Sequence, residues 1–571
     1  MTRGLNWSRC LLLLGAAAAL SVLPSLTHAQ SAGGPVGTLE VAGPQRQGDG
    51  TMGAAAAAAM SRGALRLEAD VALKAAANRA RAEAERSGTA YRPETLSDLA
   101  VAGGAARTVR APTIVGGLNF NGLIDSGGTP PDTTGAIGIT RFIQLVNRKF
   151  GIYNRTTGAL IGSGTLNTLA GVAASVNSFD PQIIWDPTTR RFYYTMDSVF
   201  SATDNKLSFG FSKTASPNNG TTDWCHYLYT PADPTRFPDY PKLGDSTYFA
   251  VIGVNSFKGS PFVFQGSDLV AISKPPSGTT CPLRSEFKIG TVLDLRDTDD
   301  AQVFTPVPAN QVDNNSTSYV VARNGGLPST RLWFFNVTRN AVTGNPVFGA
   351  ARGVTVPGYD VPANATQPPF DPPIDYSPVL DTLDARPTQA VQAINPDRGT
   401  FSFWTQHTIA NGTLSGVRWY EIDPVPAIPV ILRADTIGSG SAFLFNAAIS
   451  PDRRKDGAQR EFGDSFVVEY SVSSPTIAPR IVAGSSFNGG ALAFLKVRNG
   501  SGPYRDFSCP SSAESTCRWG DYSAATPDPR PPTDRPLLDR GVVWGANQYS
   551  GVVNPSVASA RWRTRIFQLT P

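Results

Sequence analysis

A crude repeat constrains this chain more than anything else in it. A turn carrying Asp or Pro precedes an aromatic or β-branched run, and it does so seven times. The units start near Asp132, at Phe179 (FDPQIIWDPTTRRFYY), at Phe237 (FPDYPKLGDSTYFAV) and near Phe304 (FTPVPANQVDNNSTSYVV). Three more start at Arg386 (RPTQAVQAINPDRGTFSFW), Phe445 (FNAAISPDRR, then EFGDSFVVEYS) and Trp519 (WGDYSAATPD, then VVWGANQYS). Strand-like runs such as TRFIQLVN, TRLWFFNVT and VRWYEID fill the units, punctuated by NGG, PDR and GNP turns, and no helix pattern interrupts them. Gly (55) and Pro (46) are plentiful and charged residues make up only 17%, the composition of a turn-rich all-β chain. Some ~450 residues of short antiparallel strands exceed one sandwich, so radial repetition is the economical solution. Starts ~45 to 80 residues apart suit four-stranded blades with insertions, which predicts a seven-bladed β-propeller. The last unit offers three clear strands, and a ring cannot leave its final blade with an open edge. The run Thr113 to Leu123 (TIVGGLNFNGL) is the expected donor of the fourth strand.

Residues 1–29 read as a secretory signal peptide: Arg3 and Arg9, an apolar core from Leu11, and a small-residue end at Thr27 and Ala29. Export to the periplasm or medium is the expected localisation. No later segment is apolar for the ~20 residues that a spanning helix needs. Residues 30–110 form an Ala-, Gly- and Arg-rich leader with few aromatics. Within it, a strong helix former includes Asp70 and Lys74 four residues apart and ends at Gly88. It is expected to be a partly helical linker, or else a propeptide or docking segment. The propeller is expected over residues 111–571.

Four cysteines remain after export, and an even count predicts two disulfides. Cys509 with Cys517 is the local pairing, which leaves Cys225 with Cys281. A net charge of +5, scattered over the chain, argues against nucleic acid as a partner. Neither CxxC spacing nor a histidine cluster suggests zinc. Motifs for a nucleophilic serine, a zinc protease, a P-loop or a dinucleotide site are missing.

At PPDTTGAIG (Pro130 to Gly138), FPDYPKLG (Phe237 to Gly244) and WGDYSAATPDP (Trp519 to Pro529), the chain resembles a group of exported bacterial propeller-like proteins. The resemblance runs from about Gly127 to the C-terminus and implies a secreted β-propeller, with no residue roles to carry over. A looser likeness to sialidase-like propellers rests on aspartate turns such as SPDRR (Ser450 to Arg454), without the S-x-D-x-G-x-T-W repeat.

Asp132, Asp180, Asp239 and Asp521 fall at the same place in the first three units and the last, which are neighbours once the ring closes. They predict an acidic arc on the central funnel. Asp132, Asp239 and Asp521 are the candidate acid and base groups of a glycoside hydrolase, since one carboxyl donates a proton while another activates water or attacks. Several carboxylates also suit Ca²⁺. The competing expectation has each aspartate capping its own turn. Asp180, Tyr240, Lys242, Arg518, Trp519 and Tyr522 are the expected ligand-binding residues, with Trp519 offering a flat face to a sugar. A polysaccharide lyase would need His226 or His407 beside Tyr240 or Tyr522, with Lys242 or Arg518 neutralising a uronate, yet both histidines sit in strand contexts suited to the surface or rim. The favoured expectation is a funnel-mouth binding protein for polysaccharide or a cell-surface partner. A carbohydrate-active enzyme and an adhesive or structural scaffold are the alternatives.

Overall fold

Each turn-and-strand unit becomes one antiparallel sheet, and seven sheets form the ring of a β-propeller. The inner strands are Thr134–Ile137, Asn177–Asp186, Phe237–Asp245, Val303–Pro308, Pro387–Asn395, Phe443–Pro451 and Ala524–Pro527, in blades 1 to 7. All begin within a few residues of the starts expected from the sequence. The computed structural model describes residues 36–43, 47–48, 65–89, 109–124 and 127–571, apart from breaks at 260–261, 277, 279, 371–377, 397, 457–458, 510–515, 531–538 and 553–559. The expected signal peptide lies outside the described residues. Among those described, no helix is long and apolar enough to cross a membrane.

Two early segments complete the sheets. Strand β1 (Thr38–Val41) adds a fifth strand to the outer edge of blade 2, pairing with Trp224–Thr230. Strand β2 (Thr113–Ile124) pairs antiparallel with Ala560–Thr570 as the outermost strand of blade 7. The ring is therefore closed by an N-terminal strand, which removes the edge that the C-terminal blade would otherwise expose.

Aromatic side chains pack the blades against one another. Trp419 lies 4.4 Å from Phe466 between blades 5 and 6, Phe142 stacks on Trp544 at 5.3 Å between blades 1 and 7, and Phe334 meets Phe403 at 5.0 Å between blades 4 and 5. Each such ring contributes roughly 2 to 3 kcal/mol by leaving water. Both disulfides form as expected, Cys225 with Cys281 and Cys509 with Cys517.

Four inner strands share a bulge where two residues face one: Asp180 and Pro181, Tyr240 and Pro241, Thr305 and Pro306, Asn446 and Ala447. The first residue of each pair has positive φ, at 49°, 59°, 57° and 51°, and Asp132 at 44° occupies the same place in blade 1. A bulge re-aims its side chain, here towards the funnel, and Asp or Asn tolerates that backbone best. This register corrects the expectation that the four aspartates are equivalent. Asp132 and Asp180 sit on the bulge position, whereas Asp239 precedes it by one residue and Tyr240 takes its place.

Candidate functional site in the funnel

The bulges bring Asp132, Asp180, Asp239 and Asp521 together as the sequence implies, but all four are buried. Their bonds run both within and between blades. The Asn147 amide donates to the Asp132 carboxylate at 2.7 Å, and its carbonyl accepts from the Asp180 amide at 2.8 Å. The Asp521 amide donates to Asp132 at 2.7 Å, and Arg518 donates to the Asp521 carboxylate at 2.8 Å. The expectation of four local turn caps is therefore corrected for Asp132, whose carboxylate joins blade 7 to blade 1.

Lys242 stands at the centre. Its amine lies 3.4 Å from the Tyr522 ring centroid and 3.8 Å from that of Tyr240, and the two rings meet edge to face at 5.7 Å. Burial drives the amine well below the usual lysine range, while the carboxyls of Asp180, Asp132 and Asp521 pull the other way. Burial likewise pushes Asp180 and Asp239 up to about 7, helped by Asp239 on the first and Asp521 on the second, and opposed by arginines. Asp132 rises for the same reasons. The amine of Lys242, one oxygen of Asp521 and both oxygens of Asp197 are buried without a hydrogen-bond partner.

Below this layer the channel narrows to a cavity of about 20 Å³ lined by Lys242, Gln182, Thr134, Val307, Gln389 and Ser523, room for about one or two waters. Its far end is closed by the segment after blade 4's inner strand. Asn310 donates to Asp245 at 2.9 Å and Gln311 to Asp186 at 3.1 Å, while Lys274 bridges the same two carboxylates at 2.6 and 3.0 Å.

The near end is covered by the N-terminal leader. Helix α1 (Glu68–Arg86) and the residues before it lie across the funnel mouth. Leu65 packs on Phe179, Val199 and Phe237, and its carbonyl accepts from Arg386 at 2.7 Å. Arg66 makes two 2.6 Å bonds to Asp381, Asp70 pairs with Arg323, and Lys74 donates to Thr382 at 2.6 Å and to the Leu383 carbonyl at 2.7 Å. Asp70 and Lys74 thus pair with the propeller, not with each other as their spacing suggests. The Arg386 guanidinium lies 4.7 Å above the Tyr240 ring, so the leader rests one layer above Lys242.

Several expected ligand contacts fall elsewhere. Trp519 is wholly buried, donates to Ser471 at 3.0 Å and meets Tyr504 edge to face at 5.1 Å; it fills core and cannot stack on a sugar. His407 is buried inside blade 5, its ring nitrogens within 2.9 Å of the Ala385 carbonyl and 3.0 Å of the Tyr420 hydroxyl. His226 lies on an outer strand, 3.1 Å from the Tyr194 hydroxyl. Neither histidine reaches Tyr240 or Tyr522, so the lyase arrangement is corrected. Among the described residues, no three His, Cys, Asp or Glu side chains group closely enough to hold a metal ion.

Sequence reasoning missed Asp197, Arg323, Asp381, Asp384 and Arg386. The dense charges of DTLDARP, just before an inner strand, were the available signal for the last three. Arg323 and Asp197 sit on second strands, where nothing in the local pattern sets them apart.

No protein-family model matches the chain, and no curated protein matches it in sequence. Among solved structures it is similar to an exo-β-1,3-galactanase of Phanerochaete chrysosporium, at 11% identity and TM-score 0.28 over 80% of this chain and 96% of that one. It is similar also to an endo-1,5-α-L-arabinanase of Thermotoga petrophila, at 11% and 0.27 over 77% and 97%. A mutant sialidase of Trypanosoma rangeli with trans-sialidase activity follows, at 9% and 0.31 over 69% and 54%. Likenesses this distant say nothing about chemistry, and the propeller assignment rests on the seven sheets themselves.

Proposed function

We propose that the protein is an exported propeller that binds extracellular or cell-surface polysaccharide at its funnel mouth. The observation that supports this most is unspent hydrogen-bonding capacity: the Lys242 amine, the Asp197 carboxyl and one Asp521 oxygen are buried without a hydrogen-bond partner beside Asp180 and Asp239. Buried polar groups are ordinarily paired, and a cluster that is not is suited to a ligand. Sugar hydroxyls both donate and accept, so one hydroxyl can serve an amine and a carboxyl together. Two disulfides fit an oxidising compartment, in line with the signal-like N-terminus.

Purified chain, both intact and carrying Arg66→Ala with Lys74→Ala to loosen the leader, is screened against a polysaccharide panel. Saturable binding to one class, weakened about tenfold or more by Asp197→Asn, is the expected result. New reducing or unsaturated ends would replace binding with catalysis. Binding to none of the panel, or binding indifferent to Asp197→Asn and Lys242→Met, would leave only a scaffold.

A further inference from the structure

The leader's contacts have an unusual chemistry. The buried residues of α1 are Asp70, Lys74 and Arg81, all charged, whereas its apolar contributions are slight: Ala77 is only partly buried, and Val71 is 57% exposed. Ordinary surface helices dock by an apolar stripe. Here Arg66, Asp70, Lys74 and Asn78, four residues apart, form a single polar stripe, and Asn78 continues it by accepting from the Asn364 amide at 2.7 Å. Each has a matching group on the propeller. Arg66 and Lys74 meet Asp381, at 2.6 and 3.9 Å, and Asp70 meets Arg323.

Pairing of this kind fixes where a segment sits and holds it no more tightly than an apolar contact would, because each charge gives up its hydration to enter the interface, but removing one partner strands the other charge and releases the segment. None of the seven sheets includes a residue of 65–89, so every blade is complete without this segment. It also covers the unpaired groups of the funnel: the Leu65 carbonyl holds Arg386, which lies over Tyr240, whose ring flanks Lys242.

We infer that residues 65–86 are an intramolecular plug, held by matched charges, that closes the funnel-mouth site and leaves it as a unit when the site is used. The inference rests on the reading of the funnel mouth as a binding site. The plug mimics the ligand in one respect, by satisfying Arg386, Arg323 and Asp381 while it is seated. A ligand must therefore compete for those three groups, and any change that breaks the polar stripe raises its apparent affinity.

The test uses the full chain and two variants, Arg66→Ala with Lys74→Ala, and Asp70→Asn. Hydrogen exchange is followed in α1 and in the blades, together with modification of Arg386 by phenylglyoxal. The expected result is protected α1 amides and an unreactive Arg386 in the unaltered chain. In the double variant, exchange of α1 and reactivity of Arg386 rise about tenfold or more, while blade amides keep their protection. Asp70→Asn should give a smaller shift in the same direction. If α1 stays protected in both variants, or if α1 and the blades lose protection together, the helix is a fixed part of the fold and the plug is overturned. If Arg386 opens but no polysaccharide binds the opened chain, the plug stands and the polysaccharide reading falls.

Discussion

The Tyr240 hydroxyl on blade 3 donates to the Asp521 carbonyl on blade 7, 2.9 Å away across the funnel. These blades are not neighbours. Tyr522 makes the companion link, from blade 7 to the Pro181 carbonyl of blade 2 at 3.0 Å. The funnel is thus tied across its width by two buried phenols whose rings enclose Lys242. Tyr240→Phe removes one tie and leaves a buried carbonyl without that donor, a loss of about 1 to 3 kcal/mol. Tyr522→Phe should cost a similar amount, and chemical denaturation of each single variant reads both.

The Asp239 carboxyl makes the fold less stable as pH rises from about 4 to 7. Asp239 has its folded pKa raised to about 7, above its unfolded value, so the folded chain holds the extra proton between about pH 4 and 7. Stability from this group is present at low pH and declines as pH rises through 7. Asp239→Asn keeps the shape without the charge. The variant should therefore match the unaltered chain near pH 4 and exceed it at pH 8, by roughly 1 to 3 kcal/mol, in melting curves at the two pH values. A turn-capping carboxylate would give the opposite sign at pH 8.

His407 works in the other direction. Burial lowers its imidazole to about 3, well below the unfolded value, so as pH falls the unfolded chain takes the proton first. Its stability contribution is complete above about pH 6.5 and drains away towards 3. Compared with His407→Gln, the unaltered chain should lose roughly 1.4 kcal/mol more for each pH unit across this window. Comparing the pair cancels the opposing aspartates, which both proteins share.

Strand β2 buries Val115 completely and Leu123 almost so against blade 7. Deleting residues 113–124 exposes that blade's edge and should cost roughly 3 to 5 kcal/mol from these two side chains alone. Thermal melting of the shortened chain checks it, with a greater tendency to self-associate through the open edge.

Much of this was legible in the sequence, for reasons that particular residues make clear. The inner strands announce themselves because a bulge with positive φ selects Asp132, Asp180 and Asn446, and a following Pro at 181, 241 and 306 marks the same spot. Closure by Thr113–Ile124 followed from counting strands in the last unit. The one-residue offset of Asp239 could not be read, since register is set by pairing with a neighbouring strand and is silent in the composition of a turn. Strand β1 is four residues of TLEV, too short to show a period. Asp70 and Lys74 were visible at helical spacing. Their partners Arg323 and Thr382 lie over 240 residues away, so the two charges read as partners of one another. Trp519 was misjudged because a tryptophan beside Arg518 and Asp521 looks like a sugar platform until its ring is found beneath Tyr504.

The central claim is that leader and ligand share one site above Lys242. Its most direct measurement is a competition in the Arg66→Ala with Lys74→Ala chain, titrating the polysaccharide that binds it against a synthetic peptide of residues 65–88. The account predicts mutual exclusion: the peptide raises the apparent Kd for the polysaccharide in proportion to its own concentration, and Arg323→Gln in the propeller weakens the peptide. Simultaneous binding of both, with the Kd for the polysaccharide unchanged at saturating peptide, would contradict it.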